Sequence, residues 1–529
     1  MIINMKLSNV NRRKFIKTSL GAAALAGIDP TQLLGTNANR TSISENSNAF
    51  DHRIAYGCWV NDMRLEPLPL EDWPADMIDD ETVRSVIKVL DVQSRFKYNW
   101  LDTWGLLATT SWPLNLGEGI DKDRSRKVKK ILAYAHERGI KVIYGLGVMS
   151  WGYEKIISNN PSLTAINRDG SLNKQALCDA HPESFEWVKK ILDFVLSEFD
   201  FDGIHLESMD QGGCFCPECA GKAGIVEYHS RINGKTADYI RSKWPEKFIN
   251  VIPIFWAQDS NNQFTESDKK YIIELSKHID GFYDQGWHGT FIRPQERPAF
   301  ISQLHCVYGT SGGRWLYPGQ RWDRESFFVP HMRHQATAIK EQYSQGVRGI
   351  LHYQGPVNNP CTEVNIACGG LMSSDTSQNI ENVVAKVIED LYRPHNESVH
   401  KKLTNILLNG EQAYFENWGN SKAGEFYLDL LIGDSPGPAA HLIRPEYLDG
   451  AGRLAYKKAL ITLLRDLQAI ENSFNDDGRI NALKRSMMIT LTLLNTIMYA
   501  KGEPMIIDDG QKPRLVGSNN WKAVNSLKK

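Results

Sequence analysis

The chain carries little net charge and has no long apolar run beyond its N-terminal segment. Its 61 lysines and arginines almost balance its 62 aspartates and glutamates, which leaves a formal net charge of −1 at pH 7. This balance excludes a nucleic acid or an anionic membrane as a partner recruited by bulk electrostatics. No later stretch reaches the roughly 20 apolar residues that cross a bilayer. Internal repeats are absent too, which excludes solenoids and propellers.

The first residues contain the pattern of an export signal. Arg12 and Arg13 precede an aromatic residue and a weakly apolar stretch at 20–26, whose last three residues read Ala-Leu-Ala, a cleavage site of the A-x-A type. These features in this order are typical of twin-arginine signals. We therefore predict that residues 1–47 are a signal peptide and linker. The remaining chain is expected to be exported, already folded, to the periplasm or the medium, without a transmembrane anchor.

Between residues 53 and 355, strand-like runs alternate with helical patterns. This alternation favours a parallel α/β architecture. No glycine-rich phosphate loop follows the first strand, as a doubly wound nucleotide-binding sheet would require. We therefore predict a (β/α)8 TIM barrel over residues 48–375. Its eight strands are expected at 54–60, 98–104, 141–147, 203–207, 250–256, 281–285, 314–317 and 349–354.

The rest of the chain changes to a purely helical pattern. Apolar residues recur at spacings of three and four, as at Leu460, Leu463 and Leu467. This periodicity predicts amphipathic helices. We expect a C-terminal helical domain over 376–505 that packs without chemistry of its own, followed by a polar tail over 506–529.

Large aromatic residues gather at the predicted C-terminal ends of the strands, where barrels hold their active sites. Indole rings pack well on the apolar C–H faces of sugars. A barrel opening, or mouth, lined with such rings therefore predicts a carbohydrate ligand. The alternative for any single ring is that it fills the barrel rim. The aromatic residues expected to contact the carbohydrate are Trp59, Trp104, Trp151, Trp256, Trp287, Trp322 and Tyr353.

Charged side chains lie at the same strand ends. Period-two alternation along the fourth strand directs His205 and Glu207 toward the barrel axis, and Asp284 is expected to have the same setting on the sixth. A carboxylate at such a position is costly unless it is paired or used. We predict Glu207 and Asp284 as catalytic acid and base, with salt bridges to Arg314 or Arg348 as the structural alternative. Polar contacts to substrate are expected from Asp102, His205, Asp210 and His352.

A cysteine cluster follows the fourth strand in the pattern C-x-C-x-x-C. Cys214, Cys216 and Cys219 lie too close together to pair conveniently as disulfides, but three thiolates suit one tetrahedral Zn²⁺, which prefers four ligands. Cys178 is the predicted fourth ligand and His181 its reserve. The alternative is a loop of unpaired or partly oxidised thiols. Four other cysteines are available for disulfides whose pairing the sequence leaves open: Cys58, Cys306, Cys361 and Cys368.

The segment 177–219 joins Cys178, a proline-led helix, the strand that ends at Glu207 and the three-cysteine cluster. In this layout it is similar to the zinc-containing β-galactosidases, in which one cysteine before this helix and three after the acid/base strand bind structural zinc. The segment 349–355, followed by 362–365 and a helical tail, resembles the barrel end of bacterial α-glucuronidase-like and hexosaminidase-like proteins. The resemblance implies a glycoside-hydrolase-type barrel with an appended helical domain.

The chain departs from these families at several catalytic positions. No glutamate stands at the end of the predicted seventh strand, where retaining β-galactosidases carry their nucleophile, and Leu206 rather than asparagine precedes Glu207. The adjacent Asp-Glu pair of retaining hexosaminidases is absent as well. The remaining arrangement, an acid on strand four and a base on strand six, resembles that of inverting α-glucuronidases.

Together these patterns predict an exported glycoside hydrolase that cleaves a poly- or oligosaccharide by acid/base catalysis with paired carboxylates. One alternative is a barrel that binds carbohydrate without catalysis. Another is a polysaccharide lyase in which His205, or His352 with Tyr353, transfers protons. A separation of roughly 5 to 10 Å between the carboxyl groups of Glu207 and Asp284 would favour hydrolysis.

Overall fold

The structure is a computed structural model that describes most of the chain from residue 48 onward. The described residues are 48–59, 78–107, 111–209, 213–253, 256, 263–284, 291–311, 328, 330–353, 360–419, 450–475, 478–500 and 502–503.

Eight parallel strands form a closed barrel, which confirms the predicted fold class. The first strand pairs with the second on one side and with the last on the other, and this pairing closes the ring. In chain order the barrel strands are β1 His52–Trp59, β2 Trp100–Trp104, β3 Lys141–Gly147, β6 Gly203–Glu207, β7 Phe248–Val251, β8 Gly281–Asp284, β9 Val307–Ser311 and β10 Gly349–Tyr353. The remaining two, β4 Thr164–Ile166 and β5 Leu172–Leu177, form a separate antiparallel hairpin.

Helices connect the barrel strands and continue after the last of them. Several begin at side chains that cap free backbone N–H groups: Asp79 accepts from the amide of Thr82, and Asp121 from that of Arg124. The helices are α1 Asp80–Arg95, α2 Leu116–Gly119, α3 Lys122–Glu137, α4 Glu154–Asn159, α5 Pro182–Glu198, α6 Ala220–Ala223, α7 Ile225–Lys243, α8 Glu266–Leu275, α9 Arg297–Ile301, α10 Met332–Ser344, α11 Pro360–Ser374, α12 Ile380–Tyr392, α13 Glu397–Gly419, α14 Gly450–Gln468 and α15 Arg479–Ala500.

The seventh barrel strand lies earlier in the chain than predicted. It is β9, Val307–Ser311, which pairs with β8 and β10, so its predicted position at 314–317 is wrong. Residues 314–317 lie outside the described residues. The strand reads Val-Tyr-Gly-Thr-Ser and contains no glutamate. The absence of a strand-seven glutamate therefore holds at the observed strand as well.

One large aromatic side chain, that of Tyr283, fills part of the barrel interior. Tyr283 on β8 packs into the inner cluster with residues of β1, β2, β3 and β10, and its hydroxyl lies 2.9 Å from Nδ1 of His52. Glycines on the neighbouring strands make room for the ring. A Cβ at Gly309 would lie 2.2 Å from it, and one at Gly349 would lie 2.8 Å from it. The inward position on β8 therefore belongs to Tyr283, and by alternation its neighbours in sequence face outward.

The helices after the barrel are held to it by buried polar contacts. The carboxylate of Glu411 on α13 accepts hydrogen bonds from the backbone amides of Arg333 (3.0 Å) and His334 (2.9 Å) at the start of α10. A negative side chain is favourable at that end of a helix. Arg479 on α15 makes a two-pronged pair with Glu363 on α11, with both N···O distances 2.8 Å. Among the described helices, none combines the length and apolar character needed to cross a bilayer.

Candidate active site and cysteine cluster

Glu207 is the last residue of β6 and lies at the C-terminal end of the barrel. It is 5% exposed. His205, two residues earlier on the same face, packs inside the barrel against Trp104, with ring centroids 5.0 Å apart, and near Tyr56 at 5.7 Å. The predicted inward direction of this face is therefore confirmed for His205, and alternation places Glu207 on it.

Two tryptophans, Trp104 and Trp151, lie beside Glu207 and form what we call the tryptophan wall. Their rings are nearly perpendicular, with centroids 5.6 Å apart. β3 carries glycines where the two side chains cross it: a Cβ at Gly145 would lie 2.2 Å from the ring of Trp104, and one at Gly147 would lie 2.5 Å from Cβ of Trp151. Because Gly147 is paired with Glu207 in the sheet, this tryptophan wall lies next to the carboxyl group.

Asp102 and His205 meet beneath this wall. Oδ2 of Asp102 lies 2.9 Å from Nδ1 of His205, and both side chains are completely buried. They therefore lie below the mouth rather than on its surface, which contradicts their predicted direct contact with substrate. Both lie deeper in the barrel than Glu207, which follows His205 by two residues on β6.

Asp284 faces out of the barrel, and its predicted pairing with Glu207 is wrong. Because Tyr283 occupies the inward position, Asp284 points toward the surrounding helices. Its carboxylate accepts hydrogen bonds from the hydroxyl of Tyr308 (2.5 Å) and from the backbone amides of Phe291 (2.7 Å) and Ile292 (2.9 Å). Burial raises the pKa of Asp284, an effect that these hydrogen bonds and nearby Arg297 partly offset.

Asp284→Asn is therefore expected to lower stability, by about 1 to 3 kcal/mol, and to leave the chemistry intact. Because its pKa is raised in the folded protein, the Asp284 carboxyl group contributes fully to stability below its ordinary pKa, near 3.8. This contribution is lost as the pH rises through the pKa of the folded state. Asparagine has no such dependence, so the loss of stability in the variant should be larger at about pH 4 than at about pH 7.5. Urea unfolding of both proteins at the two pH values measures this difference. A fully stable but inactive variant would contradict the structural role.

Two further predicted substrate contacts are buried away from the barrel axis. His352 alternates with the inward Leu351 and lies between Gln335 (3.1 Å) and Ser373 (3.2 Å) on the surrounding helices. Burial lowers its pKa to about 3. Trp256 is 1% exposed and stacks on the ring of His229, with centroids 5.6 Å apart. Neither side chain is placed to contact a sugar. His352 is therefore not available for the proton transfer that the lyase alternative assigned to it.

The other predicted contacts fall outside the described part of the chain. This holds for the whole residue at Asp210, Trp287 and Trp322, and for the side chains of Trp59 and Tyr353. Of the arginines proposed as structural partners, Arg314 is outside as well. Arg348 donates to the backbone carbonyls of Tyr343 and Val347. These contacts hold the arginine side chain to the backbone and not to Asp284 or Glu207.

The four predicted cysteine ligands come together in one buried cluster. Their Sγ atoms all lie within 4.8 Å of one another, and Cys178 is 3.7 Å from Cys216 and 4.0 Å from Cys219. Hydrogen bonds from the thiols of Cys178 and Cys219 lower the pKa of Cys214. The reserve ligand His181 is not among the clustered groups. Every cysteine whose side chain is described is a free thiol.

The β4–β5 hairpin, which the sequence analysis missed, joins the two halves of this cluster. Cys178 follows β5 directly, and its amide donates to the carbonyl of Leu163 (2.8 Å). The amide of Phe215 donates to the carbonyl of Ile166 in β4 (2.7 Å). Cys214 comes only seven residues after Glu207. The cluster is therefore joined to the segment that follows the candidate catalytic residue.

Comparison with solved structures finds glycoside hydrolases that are similar to this chain in fold. No protein-family model matches the chain, and no curated protein sequence is similar to it. A GH138 enzyme targeting pectin rhamnogalacturonan II aligns with a TM-score of 0.55 and 12% identity, over 86% of this chain and 58% of that chain. An O-GlcNAc hydrolase from Thermobaculum terrenum aligns at 0.44 and 12%, over 88% and 100%. A chitobiase from Flavobacterium johnsoniae aligns at 0.40 and 12%, over 84% and 72%.

The first of these alignments agrees with the barrel fold. This chain spans less than two thirds of that enzyme's length. At such low identity the likeness is one of fold, so activity and substrate must be argued from the residues of the site.

Proposed function

We propose that the protein is a glycosidase in which Glu207 is the general acid. The observation that carries this proposal is a carboxyl group at the C-terminal end of a barrel strand, almost enclosed, beside the wall of Trp104 and Trp151. Aromatic neighbours desolvate a carboxyl group and favour its protonated form, which a general acid requires. Trp104 is 4% and Trp151 7% exposed, so a sugar that reaches Glu207 would contact only the small accessible part of each ring.

The second catalytic group has a different source from the one predicted. The eight barrel strands contain three carboxyl groups, those of Asp102, Glu207 and Asp284. The first is buried against His205 and the last faces outward, so Glu207 alone is placed at the mouth. In the proposed mechanism the base or nucleophile is therefore supplied by a loop of the mouth or by the substrate itself.

A barrel that binds carbohydrate without catalysis is the second candidate, and the single strand-borne carboxyl group at the mouth is the observation that favours it. Incubation with a panel of plant and microbial glycan fragments, followed by product analysis, distinguishes the two. New reducing ends support the glycosidase. Binding without any product, measured by calorimetry on the same panel, supports the binding barrel.

We further propose that the cysteine cluster binds one structural Zn²⁺. The contacts of 3.7 and 4.0 Å between sulfur atoms agree with the roughly 3.8 Å separation that a tetrahedron with Zn–S bonds of about 2.3 Å requires. Full burial and four thiols suit a closed site without an open position for substrate. The role of the metal would be to stabilise the loop after Glu207, and no catalytic step passes through it.

Export by the twin-arginine route is also proposed, from residues outside the described part of the chain. Replacing Arg12 and Arg13 together with lysine is expected to leave the precursor in the cytoplasm, because the transporter reads the arginine pair as an address. Cell fractionation of the variant and the wild type, each with a C-terminal epitope, measures this. Unchanged export of the double variant would instead assign the segment to the general secretory route.

A further inference from the structure

A buried polar layer lies inside the barrel beneath Glu207. It consists of Asp102 on β2, His205 on β6 and Asn250 on β7, each completely buried. His205 and Asn250 are direct neighbours in the register of β6 and β7, and His205 contacts Asp102 at 2.9 Å. Bulky branched residues usually fill a barrel at this depth. Three polar side chains here therefore require an explanation.

These groups have unused hydrogen-bonding capacity. In the described part of the chain, both carboxylate oxygens of Asp102, both ring nitrogens of His205 and both amide atoms of Asn250 lack a well-aligned partner. The carboxylate of Asp102 lies close to the ring of His205, although the ring N–H is not aligned as in a well-formed hydrogen bond. A buried polar pair whose hydrogen bonds are only partly satisfied costs stability, so stability does not account for this one. Catalytic hydrogen bonds, in contrast, are often misaligned without substrate and tighten when it binds.

The pair is close to the candidate acid. Residues on one face of a strand repeat at about 6.6 Å, and His205 and Glu207 occupy successive positions of the inward face of β6. The rings of Trp104 and Tyr56 cover His205. They keep bulk water away from it, and charges interact more strongly in such a low-dielectric setting.

We propose that Asp102 and His205 are a positioning pair for Glu207, an inference that rests on the proposed glycosidase function. Asp102 fixes the orientation and tautomer of His205 by accepting from its Nδ1–H, and the fixed ring in turn positions the side chain of Glu207. In the acid step the O–H bond of Glu207 breaks, the proton passes to the glycosidic oxygen, and the electron pair stays on Glu207.

The kinetic test compares His205→Gln, Asp102→Asn and the double variant, using the substrate found in the glycan screen and an aryl glycoside of the same sugar. Each variant is expected to lower kcat for the poor leaving group by about 10-fold or more, with KM unchanged and little effect on the aryl glycoside. Because the pair acts as a unit, the double variant should lose no more than the worse single one. Multiplicative losses, or equal losses on both leaving groups, would overturn the proposal.

Tyr283→Phe is the matched control for a buried polar contact in the same barrel. It removes a hydroxyl whose described hydrogen-bond partner is His52, 2.9 Å away, rather than Asp102 or His205. The control is expected to lower stability and to leave the dependence on the leaving group unchanged. A kinetic effect of this control equal to that of His205→Gln would assign the losses to general disruption of the barrel and overturn the positioning role.

A spectroscopic measurement tests the pair without any substrate. In protein labelled with ¹⁵N-histidine, the ring of His205, identified by its loss in His205→Gln, is expected to hold a proton on Nδ1, the nitrogen that lies 2.9 Å from Asp102. Asp102→Asn is expected to weaken that preference. A wild-type ring without a proton on Nδ1 overturns the proposal. If the glycan screen yields no hydrolysis, the proposed function fails, whereas the ring protons still report whether Asp102 controls His205.

Discussion

Glu207→Gln is expected to lower the rate of hydrolysis of substrates with poor leaving groups by about 10²- to 10⁴-fold, the usual contribution of a positioned general acid. The amide keeps the size of the side chain and its place beside the tryptophan wall, but it has no acidic proton to give. Binding of the same substrate should remain nearly unchanged, because the rings of Trp104 and Trp151 are untouched. Initial rates and calorimetric binding on the same preparation measure the two effects separately.

The leaving group supplies the internal control for this variant. A substrate that departs as a stable anion needs little protonation, so Glu207→Gln should affect it much less. Asp284→Asn is the matched exchange of carboxylate for amide, because its side chain faces the helices, and it should affect both substrates equally and weakly. If Glu207→Gln and Asp284→Asn caused equal, small losses, the glycosidase proposal would be wrong and the binding barrel the better account.

Loss of zinc is expected to destabilise the protein strongly. Gently purified protein should contain about one zinc per chain, and Cys216→Ser should lose it, because a tetrahedral thiolate site with three ligands is no longer closed. Since the binding free energy of a structural metal contributes to folding, the variant should melt about 10 °C or more below the wild type. Elemental analysis and differential scanning calorimetry measure both quantities. The folded fraction should retain its activity per molecule.

Cys361→Ser is the control for this experiment. Its thiol is also buried, but it lies on α11 and outside the cluster. Zinc content should be unaffected by the change. Wild-type protein without metal, or a full complement of zinc in Cys216→Ser, would refute the site. A disulfide within the cluster, detected by mass spectrometry after alkylation, would instead support the alternative of oxidised thiols.

Local patterns in the sequence were sufficient where the physics is local. The alternation of strand-like and helical runs predicted the closed barrel, because parallel strands need helical crossovers and eight such units close. The spacing of Cys214, Cys216 and Cys219 predicted a cluster, since residues so close along the chain stay close in any fold. Period-two alternation placed His205 inward because β6 is short and regular.

Other features depended on contacts that no local pattern contains. Asp284 was assigned to the interior, but a one-residue difference in register reverses the face of a strand. The interior position is occupied by Tyr283, because glycines on β9 and β10 leave room for its ring. His352 was misplaced by the same ambiguity. Val307–Ser311 is a short strand without a strong apolar signal, and only its pairing with two neighbours identifies it.

The sequence by itself therefore determined the barrel, the helices that follow it, the cysteine cluster and the strand that ends in Glu207. Periodicity and short-range spacing are properties of the chain alone. The tertiary structure decided which carboxyl groups face the mouth, that Asp102 is buried against His205, and that the β4–β5 hairpin joins the cysteines to the loop after Glu207. These depend on strand register and on packing between residues far apart in sequence, where a shift of one position exchanges inside for outside.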